Sequence, residues 1–187
     1  MTSLVQPPFG NFDAAHPALE VADRLAGPVA RALADWADTG AAGSVLYVET
    51  DPEKADTSVF AEAYQVPLEA SANCVVVAAK RGGETTLAAC LVRADMRLDV
   101  NSAVRRHLGA RKASFAPMDT AVAETGMEYG GITPVGLPGG WPLLVDAAVA
   151  GAPYVLVGSG RRRGKLILPG RALPLLPGAT VLPDLAS

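Results

Sequence analysis

The sequence predicts an α+β fold: a mixed, barrel-like β-sheet or open barrel surrounded by short helices. Three observations predict it. Two apolar runs, residues 73–80 (NCVVVAAK) and 85–92 (TTLAACLV), flank Arg81-Gly82-Gly83, the pattern of two strands joined by a tight hairpin turn. Further short strand-like runs alternate with short helical stretches, so strands and helices are mixed along the chain. The composition, 50% hydrophobic and 19% charged over 187 residues, is that of one globular domain with a core of its own.

Residues 1–14 read as a loose arm. Between 17 and 38, Leu19, Ala22, Leu25, Ala26, Val29, Leu33 and Trp36 recur on one helical face, with Glu20, Asp23, Arg24, Arg31 and Asp35 largely opposite. Gly27-Pro28 kinks or splits that helix. Its apolar stripe packs on the core or on a second copy of the chain, which leaves room for a homodimer. A glycine break at 40–43 precedes a strand at 44–50. Asp51-Pro52 turns the chain into a short helix over 54–64. Beyond the hairpin, Asp99 or Asn101 caps a helix that runs to Leu108 and ends at Gly109. Residues 112–115 are extended, and 118–124 form one or two helical turns closed by Gly126. Strands at 142–145 and 154–157 are separated by residues 147–150. Gly158-Ser159-Gly160 turns the chain toward a strand at 165–168, and a short helix and a strand near Val181 finish it. The organisation is an N-terminal arm and helix, residues 1–43, packed on a domain of residues 44–187.

Several function classes fall away. No apolar run reaches the ~18 residues a membrane span needs. The start, MTSLVQPPFGNFD, lacks a basic opening and a continuous apolar stretch, so it is no secretory signal and a cytoplasmic location is expected. Cys74 and Cys90 lie in apolar runs without CxxC or Cys/His spacing, so no metal site is expected. A net charge of −3 argues against blanket nucleic-acid binding. Positive charge is nonetheless concentrated at Arg105, Arg106, Arg111 and Lys112, and again at Arg161, Arg162, Arg163 and Lys165.

Residues 126–138, GMEYGGITPVGLP, carry too much Gly and Pro for a helix interior or a central strand. They are also too apolar for an idle solvated loop. Two readings stay open on spacing alone: a tight crossover packed on the core, or a cradle presenting backbone N–H groups to a ligand.

Taken in order, the motifs resemble those of the YbaK-like aminoacyl-tRNA deacylases, a family that includes the editing domain associated with prolyl-tRNA synthetase. The run from Ala94 to Val100 (ADMRLDV) looks like the family's strand-to-helix junction, and that from Leu108 to Ala113 (LGARKA) like its LGAKKA stretch. The segment from Gly130 to Gly136 (GGITPVG) is similar to its GGxSPxG substrate loop, with GxxxP as Gly130 and Pro134. Leu144-Val145-Asp146-Ala147 and then the run from Gly158 to Gly164 (GSGRRRG) look like its IID segment and glycine-rich basic turn.

The resemblance implies the mixed, barrel-like fold and hydrolysis of the ester joining a wrong amino acid to the 3′ end of tRNA, with no metal or organic cofactor. It implies that backbone amides at Gly130 and Gly131 bind the ester carbonyl and stabilise the developing oxyanion. Ile132, Thr133, Pro134, Asp146, Gly158, Ser159 and Gly160 would line the aminoacyl site. Arg161, Arg162, Arg163 and Lys165 suit phosphates of the acceptor stem, or form an ordinary solvated turn; Lys112 is a surface or tRNA contact.

One departure bears on activity. The family uses a lysine opening a strand that reads KTL, and counting back from Leu98 without gaps lands on Cys74. Lys80 lies six residues further along the same strand, about 20 Å away at ~3.3 Å per residue. Cys74 has three readings: inert packing, a small wall of an altered pocket, or a nucleophile with a lowered pKa. The leading expectation is a free-standing trans-editing hydrolase. The alternatives are a non-catalytic module that binds tRNA or the aminoacyl group, and a dimerising protein with a vestigial pocket.

Overall fold

In the computed structural model, residues 4–37 and 42–187 are described. Their strands are β1 (Ala15–Pro17), β2 (Leu46–Glu49), β3 (Ala72–Arg81), β4 (Glu84–Arg93), β5 (Lys112–Phe115), β6 (Leu143–Asp146), β7 (Val155–Gly158), β8 (Gly164–Leu168) and β9 (Ala179–Leu182). The helices are α1 (Gly27–Ala37), α2 (Thr57–Tyr64), α3 (Arg105–His107), α4 (Met118–Thr125) and α5 (Ala147–Ala150). One sheet is antiparallel in the order β1-β2-β8-β7. The other runs β5-β3-β4-β6-β9 and is mixed: β3 is antiparallel to both β4 and β5, whereas β4-β6 and β6-β9 are parallel. A parallel bridge from Ser71 to Leu156 brings the start of β3 against β7, so the two sheets meet at that edge.

The β3–β4 hairpin turns where the sequence places it. Gly82 and Gly83 have φ of +57° and +84°, the pair of positive values a two-residue turn matched to strand twist requires. Alternation along these strands then divides the core. Ala72, Cys74, Ala89 and Leu91 face the larger apolar cluster, while Val75, Val77, Ala88, Cys90 and Val92 face a second one. The second cluster is closed by Val100 and Val104 ahead of α3, and by Leu185 of the C-terminal segment.

The expected N-terminal stripe is half right. Val29, Leu33 and Trp36 of α1 are buried in the larger cluster with Leu143, Val145, Val157 and Leu166. This face therefore packs on the chain's own sheets. Residues 18–24 form a 3₁₀ segment that buries Ala18 and Val21, whereas Leu19 is exposed. A 3₁₀ turn repeats every three residues, so the buried positions fall one place earlier than an α-helical reading puts them. The expected helix end at Asp38 and the first half of the glycine break at 40–43 lie outside the described residues.

The arm is not loose over residues 4–13. Val5 bridges Ala15, and the Asn11 N–H donates to the Tyr64 carbonyl at 2.7 Å. Phe12 stacks on Tyr64 of α2 with ring centroids 5.3 Å apart. β1 itself, three residues long, is too short to show a period in the sequence. Among the described residues, no helix is long and apolar enough to cross a membrane.

Candidate functional site

The Gly130 loop is held from behind by the basic turn. The Glu128 N–H donates to the Gly160 carbonyl at 2.9 Å, and the Gly160 N–H donates to the Gly131 carbonyl at 2.8 Å. The Glu128 carboxylate accepts from the Arg162 N–H at 2.7 Å. The Arg162 guanidinium donates to the carbonyls of Tyr129 and Pro52, at 3.3 and 3.1 Å. Loop and turn meet backbone to backbone: a Cβ on Gly131 would lie 2.7–2.8 Å from Arg161 main-chain atoms. The loop is thus a crossover packed on the basic turn, and its Gly130 end forms one wall of a cavity.

That cavity, of about 400 Å³, opens between the loop, the start of β3 and the N-terminal end of α2. Gly130 and Ile132 form one wall and Asn73 and Cys74 another. Asp56 and Thr57 close it from α2, where the Thr57 hydroxyl lies 3.3 Å from the Asn73 side-chain oxygen. A larger cavity of about 730 Å³ lies beyond the same loop, lined by Trp36, Pro134, Leu137 and Trp141 among others. Its wall is mainly apolar, with Asp35 the one ionisable side chain among the described residues that line it. The smaller cavity has the donors and charge that ester chemistry uses, and is the candidate site.

Lys165 enters this cavity from β8. The side chain is 9% exposed, and its Nζ lies 3.5 Å from the Gly130 carbonyl oxygen and 5.3 Å from the centre of the Phe60 ring. Burial, and then the Arg162 guanidinium, bring its pKa down to about 8. Lys165 is therefore not the solvated phosphate contact that its place in the basic run implied. β8 is buried throughout, and the alternation that sends Leu166 to the larger cluster sends Lys165 inward to the cavity.

Cys74 lies in the wall of this cavity. Burial, with a smaller contribution from Cys90, pushes its thiol well above the ordinary range, and burial takes the Cys90 thiol to about 12. A thiol held protonated is a poor nucleophile. Cys74→Ser is accordingly expected to leave any ester hydrolysis within the same order of magnitude, measured by release of amino acid from charged tRNA. A fall of several orders would make the thiol the nucleophile. Lys80 is at the far end of β3, paired with Thr85 and Lys112 beside the hairpin tip. It does not reach the cavity.

Several residues expected at the aminoacyl site have other work. The Gly131 N–H donates to the Glu128 carbonyl at 2.9 Å and so is taken by the loop's own turn. The N–H groups of Gly130 and Ile132, both in the cavity wall, meet no acceptor among the described residues. Thr133 is fully buried, and Pro134 faces the larger cavity. Asp146 is 3% exposed with both carboxylate oxygens engaged. One accepts from the Ala148 N–H at 2.9 Å, capping α5, and the other from the N–H groups of Leu185 and Ala186 at 3.1 and 3.2 Å. It is an anchor for the C-terminal segment and does not line the cavity. The fully buried Ser159 hydroxyl lies 2.9 Å from the Gly164 carbonyl and 3.1 Å from that of Arg161, and it shapes the basic turn. Gly160 (φ +84°) belongs to the same turn, and only Gly158 of this run lines the cavity. Arg162 donates to the carbonyls of Tyr129 and Pro52; Arg161 and Arg163 are exposed, with the Arg161 guanidinium also donating to the Asp23 carbonyl at 3.1 Å. Lys112 lies with Lys80, Arg81 and Arg111 in a separate basic hollow at the hairpin tip.

Fold and site together define a small mixed-sheet domain that sets a Gly-Pro loop against a half-enclosed, lysine-bearing cavity. The chain belongs to the aminoacyl-tRNA editing domain family, whose model matches residues 51–174. It is similar in structure to a protein proposed as a trans-editing enzyme for prolyl-tRNA synthetase, at 25% identity and a TM-score of 0.68, with 84% of this chain and 96% of that one covered. A scaffold from computational epitope grafting matches at 25% identity and a TM-score of 0.68, covering 84% of this chain and 97% of that one. A hypothetical protein matches in fold at 22% identity and a TM-score of 0.71, covering 83% and 99%.

Proposed function

We propose that this protein hydrolyses the ester between a mismatched small amino acid and the 3′ end of a tRNA, acting apart from the synthetase that made it. The observation that carries the reading is the cavity wall at Gly130 and Ile132: two cavity-facing residues whose N–H groups have no acceptor among the described residues, in a chain of an editing family. Such donors suit a carbonyl oxygen that becomes an oxyanion. Water adds to the ester carbonyl carbon. The bond to the ribose oxygen then breaks, that oxygen takes a proton, and the free amino acid leaves as its carboxylate. A cavity of about 400 Å³ has room for the terminal ribose together with a small aminoacyl side chain. Editing is needed for such residues because a binding pocket separates neighbours by only ~1–3 kcal/mol per methylene.

The acceptor stem would be met by Arg161 and Arg163 at the turn. Lys112, with Arg111, lies about 20 Å from Cys74 along β3, counted at ~3.3 Å per residue. Replacing Arg161 and Arg163 together with Gln is expected to weaken binding of correctly and wrongly charged tRNA alike. The log–log salt slope should fall by about one for each phosphate left without its arginine. Filter binding across a salt series reads both, and an unchanged slope would move the stem elsewhere.

The absence of a lysine at Cys74 favours a second reading, a module that binds the aminoacyl end without cleaving it. Deacylation over a panel of tRNAs mischarged with small amino acids separates the two. Turnover on any member supports the hydrolase; measurable tRNA binding with no release above the uncatalysed rate supports the module.

A further inference from the structure

We infer that Lys165 is the catalytic cation of this cavity: its ammonium, delivered from β8, stabilises the negative charge that develops on the ester carbonyl oxygen. The inference rests on the hydrolase reading above. Among the described residues lining the cavity, Lys165 is the one cationic side chain. It is 9% exposed, so it lies at the cavity wall and not at a solvated rim where it would meet a stem phosphate. Its Nζ lies at the carbonyl of Gly130, the residue whose amide is offered to the same oxygen. Register holds it there: Lys165 pairs with Gly158 of β7, and Gly158 packs directly on the carbonyls of Gly131 and Ile132. Strand, loop and ammonium form one unit.

With its pKa lowered only to about 8, Lys165 is still mostly an ammonium at neutral pH, and the charged form is the working one. The Phe60 ring lies 5.3 Å from Nζ and the Gly130 carbonyl accepts from it, and both partners suit an ammonium better than an amine. The other charged or titratable groups facing this space are Arg162 and Glu128 behind the loop, Asp56 at the start of α2, Tyr129, and the Cys74 thiol. No carboxylate makes an ion pair with Lys165 among the described residues. Its charge therefore remains available to a substrate oxygen, and the half-enclosed site strengthens that contact relative to bulk water.

The sign of the pH dependence follows from a pKa lowered to about 8. Between about 8 and the unfolded value near 10.4 the unfolded chain holds the extra proton. Conformational stability on this account rises with pH across that window, and burying the charge costs the fold most below it. Catalysis runs the other way: the productive ammonium is lost as pH rises through about 8.

The test is single-turnover and steady-state deacylation by the full chain, on whichever mischarged tRNA of the panel it turns over best, for wild type, Lys165→Met and Lys165→Arg. Lys165→Met keeps the volume and removes the charge. It is expected to lower kcat by about 10²–10³-fold with KM little changed, as when one oxyanion donor is removed. Its Tm at neutral pH should equal or exceed that of wild type, which separates lost chemistry from lost folding. Wild-type kcat, corrected for the uncatalysed rate, should fall above pH 8, and Lys165→Arg should keep part of kcat and lose that alkaline limb. A folded Lys165→Met with wild-type kcat overturns the inference while leaving the hydrolase reading intact; so does an effect confined to KM, which would make Lys165 a phosphate contact. A wild type without turnover on any panel member overturns both.

Discussion

Replacing Gly158 with alanine is expected to lower deacylation by about two orders of magnitude, and valine by more, because a misplacement of roughly 1 Å at reacting groups costs on the order of 10²-fold. A Cβ at Gly158 would collide with the Gly131 carbonyl oxygen and lie 2.7 Å from that of Ile132 and 2.8 Å from the Gly131 carbonyl carbon. These are main-chain atoms, so no side chain can swing aside to make room. The loop must retreat from β7 and take the amides of Gly130 and Ile132 with it. Gly158 is also the register partner of Lys165, so the same displacement moves the cavity's ammonium. The effect should appear chiefly in kcat/KM, with a smaller fall in Tm, since the strand can shift at this end without emptying the core. Full activity in Gly158→Ala would mean that the loop's placement is not what positions the substrate.

Asp146→Ala is expected to do the opposite, costing stability and sparing chemistry. Three main-chain N–H groups lose their acceptor at once: Ala148 at the start of α5, and Leu185 and Ala186 in the C-terminal segment. Hydrogen bonds to a charged acceptor contribute about 1.5–3 kcal/mol each, and with partial rescue by water at the exposed end the effect should be about 2–4 kcal/mol. Leu185 is fully buried in the second cluster, and the segment also bonds Arg97 and Asp99, so its release opens that cluster. Urea unfolding should show the lower midpoint, and limited proteolysis should trim the C-terminus first. Activity per folded molecule should remain near that of wild type. A folded Asp146→Ala without activity would return this carboxylate to the substrate.

Asp146 also shows how far a motif reads. Its position at the end of the strand 142–145 was legible, and a carboxylate there followed by small residues caps a helix as readily as it meets a ligand. What the second oxygen does depends on residues some forty positions later, which no local pattern contains. Glycines divide the same way. Gly82 and Gly83 announce a hairpin because the requirement is local, a pair of positive φ values. The need for glycine at 131 and 158 comes from two distant backbones meeting. The helical face of residues 17–38 was legible from Leu25 onward and misread before it, because a 3₁₀ segment shifts the buried positions. Lys165 left a trace of its own, a lysine opening the apolar run Leu166-Ile167-Leu168, but its three arginine neighbours made it look like the end of a surface patch.

By itself the sequence determined the class of fold, the order of β2 to β9 along the chain, the hairpin and the loop that forms the cavity wall. These follow from period, turn chemistry and motif order, all of which are short-range. Only the tertiary structure decided which of the singled-out residues face the cavity: Cys74, Gly130, Ile132, Gly158 and Lys165 do, while Gly131, Thr133, Pro134, Asp146 and Ser159 serve the frame or face away. The reason is strand pairing. β8 is set beside β7, and β7 against the loop, so a lysine thirty-five residues from Gly130 arrives at its carbonyl, while Lys80, on the same strand as Cys74, is carried away to the hairpin tip.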